Sequence, residues 1–185
     1  MPENDAFNRT FISIDFPDEI IKEVARIQSL LVNQKFTGKL TELENLHLTL
    51  KFLGEIPKET LDEATRILEK IKFPVLNLKL GPVGRFSHQG QPRIVWIKIE
   101  GKDIFNLQKE IDKSLQTISH KEERFMSHAT IARIKYIEDK SRFKQYIKGV
   151  KPKQINFQVK SFKLNKSELK PQGALYTSLK EFKSE

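Results

Sequence analysis

The chain has 185 residues, of which 38% are hydrophobic and 31% charged, and it contains no cysteine. This composition predicts a folded globular protein, and the lack of cysteine excludes disulfides, thiolate metal ligands and cysteine nucleophiles. The formal net charge of +9 favours a polyanionic partner such as nucleic acid, although a lysine-rich solvated surface alone produces the same excess.

Apolar periodicity divides the first half of the chain into five predicted elements. The period is close to two in the strands and close to 3.6 in the helices, while Gly54 closes one strand and Pro57 opens a helix. In chain order the elements are strand Arg9–Phe16, helix Asp18–Leu31, strand Leu46–Leu53, helix Pro57–Ile71 and strand Val75–Leu80.

The second half repeats this order. Its elements are strand Arg93–Ile99, helix Lys102–Leu115, strand Ser127–Ile134, helix Asp139–Lys148 and strand Gln154–Leu164, after which Ala174–Leu179 predicts one further strand. The sequence therefore predicts an internal repeat over residues 9–80 and 93–164, inside a single domain of residues 1–185. Between the repeats, the segment Phe86–Pro92 is predicted to be a loop.

The alternation of polar and apolar residues in the strands predicts the fold class. Strands buried on both faces would be uniformly apolar, whereas these strands have one apolar face. We therefore predict an α+β fold with two pseudo-symmetric lobes, whose antiparallel sheets face a central cleft and carry helices on their outer faces.

Two His-x-Thr pairs occupy the equivalent strand of each half. His47 and Thr49 share one face of the first strand, and His128 and Thr130 share one face of the second. A twofold relation between the lobes would bring both pairs to one cleft. Either pair alone is more often ordinary strand surface, but two pairs at equivalent points of a repeat indicate a shared function.

The two pairs suit the hydrolysis of a cyclic phosphate. One imidazole takes a proton from the attacking water and the other protonates the departing ribose oxygen, which is feasible near neutral pH because imidazole titrates near ~6.5. The threonine hydroxyls donate hydrogen bonds to the non-bridging phosphate oxygens. The symmetry of the motifs does not decide which histidine is the acid.

At these motifs the chain resembles the two-histidine phosphoesterase superfamily, specifically the LigT-like RNA 2′,3′-cyclic phosphodiesterases, formerly described as 2′–5′ RNA ligases. The segments His47–Glu55 and Ser127–Arg133 carry the resemblance, and Arg9–Ile14, Pro92–Trp96 and Gly173–Tyr176 support it. It implies hydrolysis of the cyclic end to a 2′-phosphate without metal or cofactor. A reversible, ATP-independent 2′–5′ joining of RNA ends is implied as a side activity.

The resemblance also implies roles for individual residues. His47 corresponds to the proton donor and His128 to the proton acceptor. Phe52 corresponds to a base-stacking residue and Arg133 to a phosphate or base contact. In a regular strand, however, an offset of five residues from each histidine turns Phe52 and Arg133 to the opposite face, so they reach the cleft only where a bulge or strand end reverses the alternation.

The implied partner is an RNA that ends in a 2′,3′-cyclic phosphate, with tRNA halves among the candidates. Two alternatives share the same residues: a protein that binds RNA or tRNA ends without turnover, and a phosphodiesterase acting on small cyclic nucleotides. No cluster of histidines and carboxylates has metal-ligand spacing. The absence of a phosphate-binding glycine loop argues against ATP-driven ligation.

The sequence also predicts where the protein is found. The segment Met1–Phe11 has no basic start followed by an apolar stretch, and no apolar run is long enough to cross a bilayer. We therefore expect a cytoplasmic, monomeric protein that does not insert into membranes.

Overall fold

The computed structural model describes residues 8–171 and 173–185. Its strands are β1 (Asn8–Asp15), β2 (Phe36–Leu40), β3 (His47–Ile56), β4 (Leu76–His88), β5 (Gln91–Glu100), β6 (His128–Ile137), β7 (Asn156–Val159), β8 (Ser161–Lys170) and β9 (Gly173–Lys183). The helices are α1 (Asp18–Val32), α2 (Lys58–Leu68), α3 (Lys102–Ser114) and α4 (Lys140–Gly149), and a short 3₁₀ helix covers Leu43–Asn45. Most of Met1–Phe11, from which the absence of a leader was expected, lies outside these ranges.

The strands form one antiparallel sheet that divides into two lobes. The strand order is β7-β4-β5-β6-β3-β1-β8-β9, with β2 added beside β6. Only the pair Leu48–Ala129 joins β3 to β6 within the described residues, so this junction is the narrow connection between β6-β5-β4-β7 and β3-β1-β8-β9. The predicted α+β class is confirmed. The single domain with an internal repeat stays a proposal, and the lobes do not coincide with the two repeats. Residues 76–80 of the first repeat lie in β4, in the lobe of β5 and β6, whereas β8 of the second repeat lies in the lobe of β1 and β3.

The long helices cover one face of the sheet with apolar stripes and connect the two lobes. The stripes contain Ile20, Val24, Ile27 and Leu31 in α1 and Ile104, Leu107 and Ile111 in α3, all buried in the same core. Helix α1 belongs to the first half of the chain but packs against β6, whereas α3 belongs to the second half and packs against β3. Each half therefore supports the central strand of the other. Among the described helices, none is long and apolar enough to cross a membrane.

Four details of the predicted elements are wrong. Strand β3 continues through Gly54 to Ile56, because Gly54 adopts a positive φ of 79° inside the strand. The predicted loop Phe86–Pro92 is the end of a hairpin between β4 and β5, which turns at Gln89-Gly90. The predicted strand Gln154–Leu164 is two strands, β7 on β4 and β8 on β1. Strand β2 was not predicted.

A buried ion pair stabilises the back of β3. The Lys51 ammonium donates to Asp112 Oδ1 at 2.6 Å and to the His120 carbonyl at 2.8 Å, and it is almost fully buried. Asp112 Oδ1 also accepts from the Glu122 amide at 2.9 Å. Burial raises the pKa of Asp112, but the hydrogen bonds from Lys51 and Glu122 outweigh it, so that the pKa lies below its usual value. The pair ties α3 and the following loop to β3.

We predict that Asp112→Ala lowers the free energy of unfolding by about 3 to 5 kcal/mol, because it leaves the Lys51 ammonium buried without its carboxylate. Urea denaturation of the variant and the parent protein measures the difference. The double variant Lys51→Met/Asp112→Leu should recover much of this loss, since it removes both charges.

A matched control for this prediction is Glu168→Ala, which removes a surface carboxylate paired with Lys166 and Lys170. Its effect on unfolding should be far smaller than that of Asp112→Ala, because water screens surface pairs. Equal effects of the two substitutions would contradict the structural role given to the buried pair.

Candidate active site

The six predicted site residues lie on one face of the two central strands. His47, Thr49, His128 and Thr130 are half-buried, while Phe52 and Arg133 are exposed. On the other face, the core is lined by Leu48, Leu50 and Leu53 in β3 and by Ala129, Ile131 and Ile134 in β6. The two strands have the same succession of buried and exposed positions from beginning to end. The open face of the sheet therefore carries all six side chains.

A β-bulge in each strand places Phe52 and Arg133 on this face. In β3 the register against β1 shifts between Lys51 and Thr49, so Leu50 is an extra residue. In β6 the register against β5 shifts between Ala132 and Thr130, so Ile131 is an extra residue. An extra residue reverses the alternation beyond it. The condition that the sequence set for Phe52 and Arg133 to reach the cleft is therefore met.

Polar side chains from the helix face support both bulges. Gln28 of α1 donates from Nε2 to the carbonyls of Ile131 and Thr41, at 2.9 and 2.8 Å. The Thr41 amide donates to the same Ile131 carbonyl at 3.0 Å. In the other strand, the residue that follows Leu50 is Lys51, which forms the buried pair with Asp112 of α3. Each bulge is thus held from behind by the long helix of the other half of the chain.

Both imidazoles are oriented by the same type of backbone contact. His47 Nδ1 lies 2.7 Å from the Asn45 carbonyl, and His128 Nδ1 lies 2.7 Å from the Met126 carbonyl. A carbonyl only accepts hydrogen bonds, so Nδ1 carries the proton in both rings. Nε2 is therefore the atom of each ring that can gain or lose a proton. In His47 it lies 3.1 Å from Thr49 Oγ1.

The register at the junction brings the two motifs together. Because Leu48 and Ala129 are antiparallel partners, the preceding residue of each strand lies across from the following residue of the other. His47 is thus across from Thr130, and His128 is across from Thr49. The electrostatic surroundings of His47 agree with this placement, since the charges of both Arg133 and His128 act on it.

The pKa of His47 is lowered from its ordinary value of 6.5. Burial is the largest cause, because it disfavours the charged imidazolium. The hydrogen bond to the Asn45 carbonyl and the charge of Asp15 act in the opposite direction, while Arg133 and His128 add to the lowering. His47 is therefore neutral at neutral pH when the cleft holds no anion.

Aromatic rings flank both histidines, and most of these residues were not predicted. The ring of His47 lies 5.0 Å from that of Phe11 and 5.2 Å from that of Tyr176, between centroids. The ring of His128 lies 5.1 Å from Phe86 and 6.4 Å from Trp96. Tyr176 reaches His47 because β9 folds back beside β8, where the side-chain amide of Asn45 donates to the Ala174 carbonyl at 3.2 Å. The alternation in β1 and β5 was the available signal for Phe11 and Trp96, whereas Tyr176 required the tertiary fold.

The remaining surface offers no competing arrangement of histidines. Two surface pockets of about 400 and 510 Å³ lie away from the cleft, one against α3 and the other along β4 and β7, and neither contains a histidine. His88 and His120 are exposed. Within residues 8–171 and 173–185, no group of three or more histidine, aspartate or glutamate side chains is placed to ligate a metal.

Comparison with known proteins shows which family the chain resembles. The model of the LigT-like phosphoesterases matches residues 14–96 and again residues 98–176. A curated protein of Methanocaldococcus jannaschii, named RNA 2′,3′-cyclic phosphodiesterase, is 36% identical over 177 residues and covers 94% of this chain and 99% of its own length. The protein of that name from Thermotoga maritima is 33% identical over 179 residues, covering 94% of each chain.

Solved structures show the same fold. The crystal structure of TT0787 from Thermus thermophilus superposes with a TM-score of 0.81 at 26% identity, covering 95% of this chain and 97% of that one. Escherichia coli LigT complexed with 3′-AMP superposes with a TM-score of 0.77 at 22% identity, covering 97% and 98%. At that lower identity the likeness concerns the fold alone.

We predict that Tyr176→Ser raises the pKa of His47 toward 6.5, because removal of the ring opens the imidazole to water and lessens the cost of its charge. Inorganic phosphate should also raise this pKa, since an anion beside the ring favours the imidazolium. An NMR titration that follows the histidine ring carbons measures both changes.

The matched control is Tyr136→Ser, which removes an exposed tyrosine near the far end of β6 and should leave the titration of His47 unchanged. The resonances of His88 and His120 should not respond to phosphate. A His47 pKa that stays constant in Tyr176→Ser would contradict burial as the cause of its lowering.

Proposed function

Because the chain belongs to the LigT-like phosphoesterases, we propose that it hydrolyses 2′,3′-cyclic phosphate ends of RNA to 2′-phosphate ends. Two curated relatives that match nearly the whole chain are named RNA 2′,3′-cyclic phosphodiesterase. The observation that carries the proposal is the paired geometry of His47 and His128. Both rings are held through Nδ1, so that both offer Nε2 for proton transfer on the same face of the sheet.

The phosphate lies between the two His-x-Thr pairs in this proposal. Its non-bridging oxygens accept hydrogen bonds from the hydroxyls of Thr49 and Thr130, which lie on the same face as the histidines. The exposed guanidinium of Arg133 adds a positive charge beside the same position. Charge that develops on phosphorus oxygens during the reaction is thereby stabilised.

Proton transfer runs in opposite directions at the two rings. His128 Nε2 takes a proton from the attacking water as the new P–O bond forms. His47 Nε2 gives a proton to O3′ as the P–O3′ bond breaks, which leaves the phosphate on O2′. The net proton passes from water to O3′, and each ring returns to its starting state after the two protons exchange with solvent. No redox change or co-substrate is involved.

The lowered pKa of His47 bears on this assignment. In the free site His47 is neutral, whereas an acid must hold a proton. A cyclic phosphodiester is an anion, and its negative charge beside the ring raises the pKa of His47. Substrate binding therefore supplies the proton-holding state that the acid requires. The same burial that lowers the pKa makes His47 a strong acid once O3′ begins to develop negative charge.

RNA suits the surface around the cleft. Phe52 is 66% exposed and lies 6.2 Å from Phe11 between ring centroids, so its ring is available to stack on the terminal base. The net charge of +9 favours approach of a polyanion. In this proposal Phe52 stacks on the terminal base, the two His-x-Thr pairs bind the cyclic phosphate, and the positive charge of the protein attracts the rest of the RNA backbone.

We predict that His47→Ala and His128→Ala each lower kcat/KM by roughly 10² to 10⁴ for a short RNA ending in a 2′,3′-cyclic phosphate. The assay contains EDTA and separates the 2′-phosphate from the 3′-phosphate product. The matched controls are His88→Ala and His120→Ala, two exposed histidines outside the cleft, which should retain full activity.

Affinity measurements distinguish this proposal from RNA binding without turnover. Wild-type protein that binds the cyclic end but releases no product would contradict the enzymatic proposal. Efficient turnover of mononucleoside cyclic phosphates, with no gain for RNA, would identify small cyclic nucleotides as the substrates instead.

We further predict that a p-nitrophenolate leaving group largely rescues His47→Ala but not His128→Ala. This leaving group departs without protonation, so the acid becomes dispensable while the base does not. The substrate is the p-nitrophenyl ester of a deoxynucleoside 3′-phosphate, and the release of p-nitrophenolate is followed by absorbance. Rescue of His128→Ala alone would show that the roles of the two histidines are reversed.

A further inference from the structure

The strands that flank the central pair place opposite charges beside the two histidines. In β1, Asp15 is the antiparallel partner of His47, and in β5, Lys98 is the antiparallel partner of His128. Partners that lie directly opposite share one face of a sheet, with their Cβ atoms about 5 Å apart. Both charged side chains are exposed. An acidic group therefore stands next to one imidazole and a basic group next to the other.

The two charged positions are equivalent in the two half-sites. One row of antiparallel partners crosses the four strands, and it consists of Ile14, Leu48, Ala129 and Ile97. The row on one side of it begins with Asp15 and continues with His47. The row on the other side ends with His128 and Lys98. The pseudo-symmetry of the cleft thus relates Asp15 to Lys98, and the charge is reversed between them.

Asp15 supplies the negative charge that acts on His47. This charge favours the imidazolium and so limits the lowering of the pKa of His47 that burial causes. Lys163 of β8 donates to Asp15 Oδ2 at 2.6 Å and keeps the carboxylate on the open face. The titratable and charged groups on this side are Asp15 in β1, His128 and Arg133 in β6, Lys163 in β8 and Tyr176 in β9.

His128 has a basic neighbour at the corresponding place. An ammonium disfavours a second positive charge on the adjacent ring, so Lys98 favours the neutral imidazole. The side chains that face His128 from the neighbouring strands are His47 in β3, Phe86 in β4 and Lys98 in β5. Arg133 lies further along β6 itself. Glu100, the following residue of β5 on this face, has its side chain against Gly81 of β4.

We propose that Asp15 and Lys98 are positioning residues that give the two histidines opposite protonation states. Asp15 favours a proton on His47, which acts as the acid, and Lys98 disfavours one on His128, which acts as the base. This inference rests on the proposed function and adds the groups that distinguish two otherwise similar His-x-Thr motifs. Neither residue contacts the reacting atoms, since both act through an imidazole.

The pH dependence of kcat/KM separates the two effects. Well below the titration range of the histidines, the rate follows the small fraction of base that is neutral. Well above that range, it follows the small fraction of acid that is protonated. Carboxylates and ammonium groups keep their charges between about pH 5 and pH 9. Loss of the Asp15 charge therefore lowers the rate on the alkaline side, and loss of the Lys98 charge lowers it on the acid side.

The test measures kcat/KM for a short RNA ending in a 2′,3′-cyclic phosphate at both ends of this pH range. We expect Asp15→Asn to lower the ratio of the alkaline to the acid value about threefold, and Lys98→Gln to raise it about threefold. A unit charge about 6 Å away, in a site open to water, shifts an imidazole titration by about half a pH unit. The matched controls Asp62→Asn and Lys58→Gln remove exposed charges from α2 and should leave the ratio unchanged.

The double variant Asp15→Asn/Lys98→Gln removes the general attraction of charge for the substrate from the comparison. It loses one charge of each sign, so the net charge around the cleft stays the same. We expect kcat/KM to fall about threefold at both ends of the pH range, while the ratio between them stays that of the wild-type protein.

An NMR titration of the histidine ring carbons tests the same interaction without turnover. Asp15→Asn should lower the pKa of His47 further below 6.5, because the charge that favours its imidazolium is gone. Asp62→Asn should leave the titration of His47 unchanged.

Three results would overturn the proposal. Equal losses at both ends of the pH range in each single variant would mean that Asp15 and Lys98 only maintain the structure. A double variant that is faster than the wild-type protein would mean that the two charges oppose the working protonation states. Wild-type turnover, together with unchanged ratios in both single variants, would remove the charge effect and leave the proposed function intact. If the wild-type protein hydrolyses no cyclic phosphate, the proposed function itself fails, and this inference fails with it.

Discussion

One extra residue in each central strand decides which side chains reach the cleft. Without the bulges at Leu50 and Ile131, strict alternation would turn Arg133 toward the apolar core, where a guanidinium has neither water nor a counter-charge. The bulges disturb the backbone ladder, and in β6 the carbonyl of Ile131 is satisfied by Gln28 and by the Thr41 amide. The cleft therefore depends on polar contacts made on the opposite face of the sheet.

Those polar contacts come from the other half of the chain. Gln28 lies on α1 and supports β6, while Asp112 lies on α3 and binds Lys51 of β3. Each His-x-Thr strand pairs with a strand of its own half, β3 with β1 and β6 with β5, but the helix contact behind its bulge comes from the other half. The two proton-transfer groups therefore come into position only when both halves are folded together, which couples the geometry of the site to the integrity of the whole core.

The two half-sites share a backbone plan but differ in chemistry. On the His47 side, the strand next to β3 contributes the buried Ser13, which accepts a hydrogen bond at 2.9 Å from Asn165. At the equivalent place beside β6 stands the indole of Trp96 over Gly84. After its bulge, β3 exposes the phenyl ring of Phe52, whereas β6 exposes the guanidinium of Arg133 at the equivalent position. General acid–base catalysis uses two groups in opposite protonation states, and unlike surroundings favour such a difference between two otherwise similar histidines.

Local pattern was sufficient for the fold class, the long helices and the position of the His-x-Thr pairs, because apolar periodicity reports directly which face of an element is buried. It did not predict β2 or the break between β7 and β8. It also did not predict the bulges that turn Phe52 and Arg133 to the same face of the sheet as the histidines. A bulge depends on which strand lies alongside it and on which side chain satisfies its free carbonyl. In β6 that side chain is Gln28, which is too distant in sequence from Ile131 for a local pattern to reveal the contact. The rings around the histidines likewise come from strands that only the tertiary fold makes neighbours. The sequence by itself determined which groups are available for chemistry, and the tertiary structure decided which of them meet.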